Sequence, residues 1–270
     1  MTKIRPFLKW AGSKYNCLQH VIAALPPGQR LIEPFSGSGV VFMNTSYPAY
    51  LMAESNVDLI QIFSFLQQEG EAFITYCETH FKPETNCKTH YYEMRSLFNS
   101  VTSSLEKSAL FLYLNRHGYN GLCRYNSKGI YNVPFGLYLK PYFPRKEMQF
   151  FYEKSTTAEF LHNDFRKTFA LAEKGDVIYC DPPYVPSAEH TKPLPYTQHK
   201  FTNNEQIELA ELARETAAKG IPVIISNHDT EFTRRYYRQA SIKSFPVSRF
   251  INCQANLRRP VNELIAVFKK

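Results

Sequence analysis

The sequence has six cysteines but no cysteine pattern that would hold a metal ion or a disulfide framework. The cysteines are scattered singly, without a Cys-x-x-Cys pair, and no histidine run has the spacing of zinc ligands. We interpret these thiols as reduced and mostly buried, and we expect no metal site.

Long apolar runs are absent as well. The first residues lack the apolar stretch of a signal peptide, and no segment approaches the roughly 20 apolar residues that a membrane helix requires. The chain has no internal repeat and no Gly/Ser linker. These absences favour a cytoplasmic protein without a membrane partner.

The composition favours a folded protein that binds a polyanion. With 270 residues and a hydrophobic content of 44%, the chain can bury a substantial core. Lysine and arginine number 32 against 24 acidic residues, which gives a formal net charge of +8. A nucleic-acid partner is electrostatically favoured, although many basic proteins bind none.

Short apolar or β-branched runs alternate with helical patterns, which predicts an α/β fold with a largely parallel sheet. From residue 56 to residue 144 the alternation gives way to helical patterns and to a stretch rich in Tyr, Asn, Gly and Arg. We interpret this segment as an inserted module that packs against the sheet. The predicted strands are 30–34, 49–53, 159–162, 176–180, 222–226, 242–247 and 262–268.

A loop of small residues follows the first predicted strand, with the sequence Glu33-Pro-Phe-Ser-Gly-Ser-Gly39. Such a loop lets a ligand approach the backbone closely, because glycine tolerates dihedral angles that other residues resist. It is not a P-loop, since no Lys-Ser/Thr follows the last glycine, and it lacks the third glycine of the dinucleotide fingerprint. Nucleoside triphosphates and nicotinamide cofactors are therefore disfavoured.

Two further features could belong to the same ligand site. Glu54, after the second predicted strand, could accept hydrogen bonds from both hydroxyls of a ribose, or it could be a favourable charge near a helix N-terminus. Trp10, the single tryptophan, lies between Lys9 and Lys14. The ring could pack on a cofactor while a lysine pairs with the cofactor's carboxylate, or Trp10 could be a core residue beside solvated lysines.

The tetrapeptide Asp181-Pro182-Pro183-Tyr184 follows an apolar strand and suits methyl transfer to a planar amine. Adenine's amine is a poor nucleophile because its lone pair is delocalised into the ring. The Asp181 carboxylate and the Pro182 carbonyl can each accept one N–H, which favours a pyramidal nitrogen with its lone pair directed at a sulfonium methyl group. Tyr184 offers a ring face to a base rotated out of the helix. The alternative is an ordinary turn after a strand.

The position of this tetrapeptide along the chain supports the same interpretation. In an open α/β sheet, ligands bind beyond the carboxyl ends of the strands, where the strand order reverses. We expect the loop with Gly37 and Gly39 to flank that crevice on one side, and Asp181 on the other.

With these motifs in this order, the sequence resembles the DNA adenine methylase family, in the group whose cofactor motif comes first and whose D-P-P-Y motif comes last. The resemblance covers nearly the whole chain, through segments 7–14, 33–39, 83–87, 112–126, 132–136, 181–184 and 221–229. It implies a Rossmann-like, S-adenosylmethionine-dependent methyltransferase sheet with an inserted, mainly helical target-recognition domain. The implied catalytic domain comprises 1–55 and 145–270, and the implied recognition domain comprises 56–144.

The resemblance also assigns site residues. The implied catalytic residues are Asp181, Pro182 and Tyr184. The implied S-adenosylmethionine contacts are Trp10, Lys14, Phe35, Gly37, Gly39, Glu54, Asp164, Phe165 and Asp181. The implied DNA contacts are Lys9, Tyr119, Asn120, Leu122, Arg124, Asn132, Pro134 and Tyr138. Residues 116–145 independently interleave basic side chains with tyrosines, which suits contacts to phosphates and bases, although a solvated polar loop would look similar.

Three positions depart from the family pattern. Glu54 stands where some members have Asp, and this change keeps the carboxylate group. Ser13 replaces a common glycine. Leu137 stands where enteric relatives carry Arg, so a cationic contact to a base or phosphate is missing there. The predicted recognition sequence is nonetheless G-A-T-C.

Other functions stay open at this point. Related D/N-P-P-Y motifs also serve cytosine, RNA bases and protein glutamine, and an inactive DNA-binding relative would share the insert. The basic, aromatic insert argues against glutamine, and the intact tetrapeptide argues against lost catalysis. We expect a monomer at the nucleoid that transfers the methyl group directly, without a covalent intermediate or a metal. The biological role could be mismatch repair, replication timing, gene control or restriction defence.

Overall fold

The computed structural model describes residues 3–102, 104–184, 201–247 and 261–270. Its centre is a seven-stranded sheet with the strand order β3-β2-β1-β4-β5-β7-β6. The strands are β1 Arg30–Glu33, β2 Ala49–Glu54, β3 Ala158–His162, β4 Asp176–Cys180, β5 Val223–His228, β6 Ser241–Val247 and β7 Val261–Phe268. All seven predicted strands are therefore confirmed, each to within two residues of its predicted bounds.

Strands β1 to β5 pair in parallel, whereas β7 runs antiparallel to both β5 and β6. The strand order reverses between β1 and β4, because β2 and β3 lie on one side of that pair and β5 lies on the other. Every residue of β4 and β5 is buried, as expected for parallel strands covered on both faces. This is the Rossmann-like α/β sheet that was predicted.

Helices connect the strands, and their ends follow local side-chain chemistry. The longest, α9, begins where Thr202 and Glu205 form a reciprocal capping box. The N-cap of helix α3 is Asn56, whose side chain accepts hydrogen bonds from two backbone N–H groups. The helices are α1 Leu18–Ala24, α2 Val40–Asn44, α3 Val57–Glu69, α4 Glu71–Glu78, α5 Lys88–Ser100, α6 Leu105–His117, α7 Arg145–Ser155, α8 Phe165–Phe169, α9 Asn203–Ala218 and α10 Glu231–Tyr236.

The helices from α3 to α7 lie between β2 and β3 in the chain, and α3 and α7 pack against the sheet. Contacts join α3 to β2 and β3, and α7 to α3 and β3. Phe63 of α3 and Phe151 of α7 meet at a ring-centroid distance of 4.8 Å, and Phe63 also contacts Phe160 of β3. The inserted helices and one face of the sheet thus share a single apolar core.

Within the described ranges, Cys17, Cys77, Cys123 and Cys180 are buried free thiols and Cys87 is an exposed one, in line with the sequence-based interpretation. Cys253 lies outside those ranges. None of the described helices is long and apolar enough to span a membrane.

Candidate active site and DNA interface

The loop between β1 and α2 packs against Trp10. Gly37 and Gly39 both adopt positive φ angles, of 46° and 69°, which side chains rarely adopt. A Cβ atom on Gly37 would lie 3.1 Å from the Trp10 Nε1 atom, so the indole packs directly on the bare backbone. The Trp10 indole therefore packs on the loop of small residues, and it also packs against the hydrophobic core.

Glu54 is tied to this loop at the end of β2. Its Oε2 atom accepts the backbone N–H of Gly37 at 3.2 Å, and its Oε1 atom accepts the N–H and the hydroxyl of Ser55 at 2.9 and 3.1 Å. Burial raises the pKa of Glu54, while these hydrogen bonds act in the opposite direction. The structure thus places Trp10, Gly37 and Glu54 side by side.

Asp181 directly follows β4, across the point where the strand order reverses. Its Oδ1 atom lies 2.8 Å from the Nζ atom of Lys14, which also donates to the carbonyl of Gly12 at 2.8 Å. Lys14 is only 4% exposed. Burial raises the pKa of Asp181 to about 6, against the opposing charge of Lys14. An ion pair between the buried Lys14 and the partly exposed Asp181 therefore joins the N-terminal segment to the predicted catalytic turn.

The rest of the turn contacts helix α9 and strand β5. The carbonyl of Pro183 accepts from the Gln206 side chain at 2.6 Å, and Asn227 in turn donates to Gln206 at 3.0 Å. Pro182 is buried directly after Asp181. The rings of Tyr184 and His228 pack edge to face, with their centroids 4.3 Å apart. The turn is thus held by α9 and β5 in a defined orientation.

Two of the predicted S-adenosylmethionine contacts, Phe35 and Phe165, lie in an aromatic cluster beside the loop. Phe35 and Phe165 stack with their centroids 5.6 Å apart, and Phe201 meets both rings edge to face. Asp164 caps α8 by accepting the N–H of Arg166 at 2.9 Å, and it also pairs with the Arg166 guanidinium. The carboxylate of Asp164 is therefore already engaged within its own helix.

The predicted DNA contacts gather on two short antiparallel segments after α6. Isolated bridges pair Gly118 with Phe135 and Tyr125 with Tyr131, and we call residues 118–136 the recognition hairpin. Arg124 donates to the side chain and the carbonyl of Asn132, at 2.7 and 3.0 Å. The hairpin therefore brings these two predicted base-reading side chains together.

The remaining predicted contacts surround this pair. Tyr119 and Asn120 are exposed, and Pro134 accepts the N–H of Tyr119 at 2.8 Å. Leu122, by contrast, is only 9% exposed. Its side chain belongs to the core of the hairpin rather than to its surface.

Lys9 lies against the hairpin from the N-terminal segment. Its Nζ atom is 4.0 Å from the centroid of the Tyr138 ring, and Gly121 approaches so closely that a Cβ there would overlap the Lys9 side chain. Asn115 of α6 fixes this arrangement, because it bonds the backbone of Lys9 at 2.8 and 2.7 Å and the carbonyl of Gly121 at 3.2 Å. The segment from Lys9 to Lys14 thus joins the hairpin to the turn at 181–184.

The start of α3 links the hairpin to the loop around Glu54. Asn56 caps α3 and donates from Nδ2 to the Cys123 sulfur at 3.6 Å. Asp58, in the first turn of α3, accepts the hydroxyl of Tyr125 at 2.6 Å. Both predicted sites are therefore attached to one helix N-terminus.

Several of the residues that organise these sites escaped the sequence reasoning. Asn86, within a segment that supports the resemblance, donates to the carbonyls of Tyr138 and Leu139 at 2.8 and 3.1 Å. Asn115 and Asn227 also lie in such segments, which was the available signal. Gln206 carried no motif signal at all.

Comparisons with known proteins match this chain over most of its length. The family model described as D12 class N6 adenine-specific DNA methyltransferase matches residues 10–249. A DNA adenine methylase of Vibrio cholerae is 45% identical, with 99% of this chain and 97% of that protein covered. The DNA adenine methylase of Escherichia coli K12 is 43% identical, with 100% and 97% covered, and that of Serratia marcescens is 44% identical over the whole of both chains.

Proposed function

Because the chain belongs to the D12 class of N6 adenine-specific DNA methyltransferases, we propose that it methylates the N6 amine of adenine within GATC in double-stranded DNA. The target base is rotated out of the duplex, and S-adenosylmethionine is the donor. The observation that carries the proposal is the position of Asp181, which lies at the strand-order reversal beside Lys14 and opposite the Gly37 loop.

The residues around the Gly37 loop fit this donor. S-adenosylmethionine would supply a methyl group on a cationic sulfonium. The Gly37 backbone admits a close ligand, and the Glu54 carboxylate can accept from ribose hydroxyls. Lys14 has three N–H groups, and among the described residues two of them go to Gly12 and Asp181, which leaves one for the donor carboxylate.

The catalytic turn fits an amine acceptor. Asp181 and the Pro182 carbonyl each accept one N–H of adenine, which stabilises the pyramidal nitrogen of the transition state. Proline cannot offer an N–H of its own, and the Gln206 bond to Pro183 keeps the turn rigid. Tyr184 stacks on the extruded base. With the donor bound, the N–C bond would form as the S–CH3 bond breaks, the thioether S-adenosylhomocysteine would leave and the amine would lose one proton to solvent, without a covalent intermediate on the protein.

We assign DNA recognition to residues 56–144, between the two parts of the catalytic domain at 1–55 and 145–270. The hairpin presents Arg124 with Asn132 for base edges, and Lys9 with Tyr138 for phosphate contact and stacking. The net charge of +8 favours the DNA backbone. The enzyme acts as a monomer on duplex DNA at the nucleoid.

The direct test is to incubate the protein with S-adenosylmethionine and unmethylated DNA and to map modified bases at single-base resolution. We expect N6-methyladenine at GATC sites. Methylcytosine would contradict the acceptor, and N6-methyladenine in another sequence would contradict the recognition site while leaving the chemistry intact. Calorimetry that finds no binding of S-adenosylmethionine would contradict the assigned donor.

The rate of methylation is expected to fall below about pH 6. The ionised form of Asp181 accepts the N–H groups, and because its pKa is raised to about 6, activity is lost as the pH falls through 6. The pKa of Asp181 is higher in the folded protein than in the unfolded chain. The free energy of unfolding therefore decreases as the pH rises from the pKa in the unfolded chain to about 6. A profile of kcat/KM against pH measures this limb. A flat profile down to pH 5 would contradict the assigned role.

Replacing Arg124 by Ala is expected to relax the preference for one base of the recognition sequence. The cost is about 1–3 kcal/mol of discrimination, because a guanidinium that reads a base edge is lost. Methylation of a library of variant sites measures it. The control is Lys128→Ala, an exposed cation in the same hairpin, which should change the salt dependence but not the base preference. Unchanged preference in the Arg124 variant would refute the assignment.

A further inference from the structure

Glu263, on β7, is a buried carboxylate that faces the catalytic turn and lies in none of the motifs considered so far. It is 8% exposed and pairs across the sheet with His228 of β5. Its Oε2 atom accepts the hydroxyl of Tyr184 at 3.1 Å and lies 3.9 Å from the Cys17 sulfur. A buried charge needs donors of this kind, and Tyr184 provides the shorter contact.

The ring of Tyr184 is restrained on three sides. The Lys14 Nζ atom lies 4.5 Å from the ring centroid, His228 meets the ring edge to face, and Glu263 holds the hydroxyl. Burial raises the pKa of Tyr184 well above its ordinary value, so the hydroxyl keeps the proton that it donates. A ring that stacks on a base must keep a fixed tilt, and a tethered hydroxyl prevents the ring from swinging away.

Glu263 also contributes to the charge of the site. Burial opposes the ionisation of Lys14, but the carboxylates of Asp181 and Glu263 outweigh it and raise the Lys14 pKa. One buried cation therefore lies beside two carboxyl side chains, an arrangement that suits a cationic methyl donor.

We propose that Glu263 is a positioning residue for methyl transfer, which acts through the Tyr184 hydroxyl to fix the ring on which the extruded adenine stacks. The proposal rests on the proposed function, because it requires adenine to reach Tyr184. Glu263 itself contacts neither the adenine nor the donor in this scheme. Its role is confined to the orientation of Tyr184 and to the charge near Lys14.

A double-mutant cycle tests this role. Glu263→Ala is expected to lower kcat by about tenfold to a hundredfold, the range for a hydrogen bond to a charged group. Tyr184→Phe removes the same bond from the other side, together with the hydrogen bond of the hydroxyl to Asp181, and keeps the ring. If Glu263 acts through the hydroxyl, the double variant is no slower than Tyr184→Phe alone. Additive losses would overturn the proposal.

Two further measurements separate positioning from a general structural role. With 2-aminopurine in place of the target adenine, Glu263→Ala should weaken the fluorescence increase that reports base extrusion. Glu263→Gln keeps an acceptor oxygen and should recover most of that signal. The matched control is Glu231→Gln, an exposed carboxylate at the start of α10, which should leave the signal unchanged. An extrusion signal that Glu263→Ala leaves at its wild-type strength would also overturn the proposal.

The proposal and the proposed function fail in different ways. If the wild-type protein methylates no adenine, the proposed function fails. If the wild-type protein methylates adenine and the cycle is additive, only the role of Glu263 fails. Should Glu263→Ala not fold, the cycle is run with Glu263→Met, which removes the acceptor but keeps much of the side-chain volume, and Tyr184→Phe alone must still lower kcat by several fold. A Tyr184→Phe variant with wild-type kcat would then overturn the proposal.

Discussion

Replacing Asp181 by Ala is expected to lower the rate of methyl transfer by a factor of about 10² to 10³, the typical loss when one preorganised electrostatic group is removed from a transition state. The carboxylate is the only charged group of the catalytic turn, so nothing nearby in the turn can replace it. Single-turnover transfer of a labelled methyl group to DNA measures the chemical step directly. A near wild-type rate would mean that Asp181 has no catalytic role.

The control for this experiment is Asp181→Asn. The Ala variant leaves the buried Lys14 without its nearest carboxylate, which costs stability, whereas Asn keeps an oxygen at a comparable position. Both variants should be clearly slower than the wild type, with the larger loss in Ala, but Asn should unfold at a temperature closer to that of the wild type. Loss of activity in both, with the fold retained in the Asn variant, separates chemistry from stability.

Replacing Lys14 by Met is expected to weaken donor binding about 10- to 100-fold, since a charge-assisted hydrogen bond to the donor carboxylate is lost. The same change removes the cation that opposes the raised pKa of Asp181. The pKa of Asp181 should therefore rise above about 6, and the acid limb of activity should move to higher pH. Calorimetric titration with the donor and the pH profile measure the two effects separately.

Lys9→Met is the matched comparison for the Lys14 variant. Lys9 lies on the same segment but packs on Tyr138 at the hairpin, so its replacement should weaken DNA binding and spare the donor affinity. If Lys14→Met binds the donor as tightly as the wild type, Lys14 does not hold the donor carboxylate. The pH profile would still report on its pairing with Asp181.

The strands were predictable because their apolar runs are local. Each residue of β4 and β5 is buried, and each strand contains an apolar run, at 177–180 in β4 and at 223–225 in β5. The antiparallel placement of β7 between β5 and β6 was not predictable. It depends on which strand edge the last segment meets, and no local pattern records that choice.

Some residues of the candidate site could be predicted from the sequence and others could not. The chemistry of Asp181, Gly37 and Arg124 could be inferred from motifs of a few consecutive residues. Asn115 and Gln206 bond partners that are 106 and 23 positions away, at Lys9 and Pro183. Such side-chain contacts across the fold leave no periodicity or spacing in the sequence, so only the three-dimensional structure could reveal them.

The helix start at Asn56 and Asp58 determines how the specificity of this enzyme could be re-engineered. Cys123 and Tyr125 of the hairpin bond to these two residues. A graft of the hairpin alone from a relative would place foreign side chains opposite Asn56 and Asp58, and would disturb the turn that carries Glu54. A graft that begins at residue 56 moves both bonding partners together, and so exchanges the proposed DNA-recognition segment as one unit.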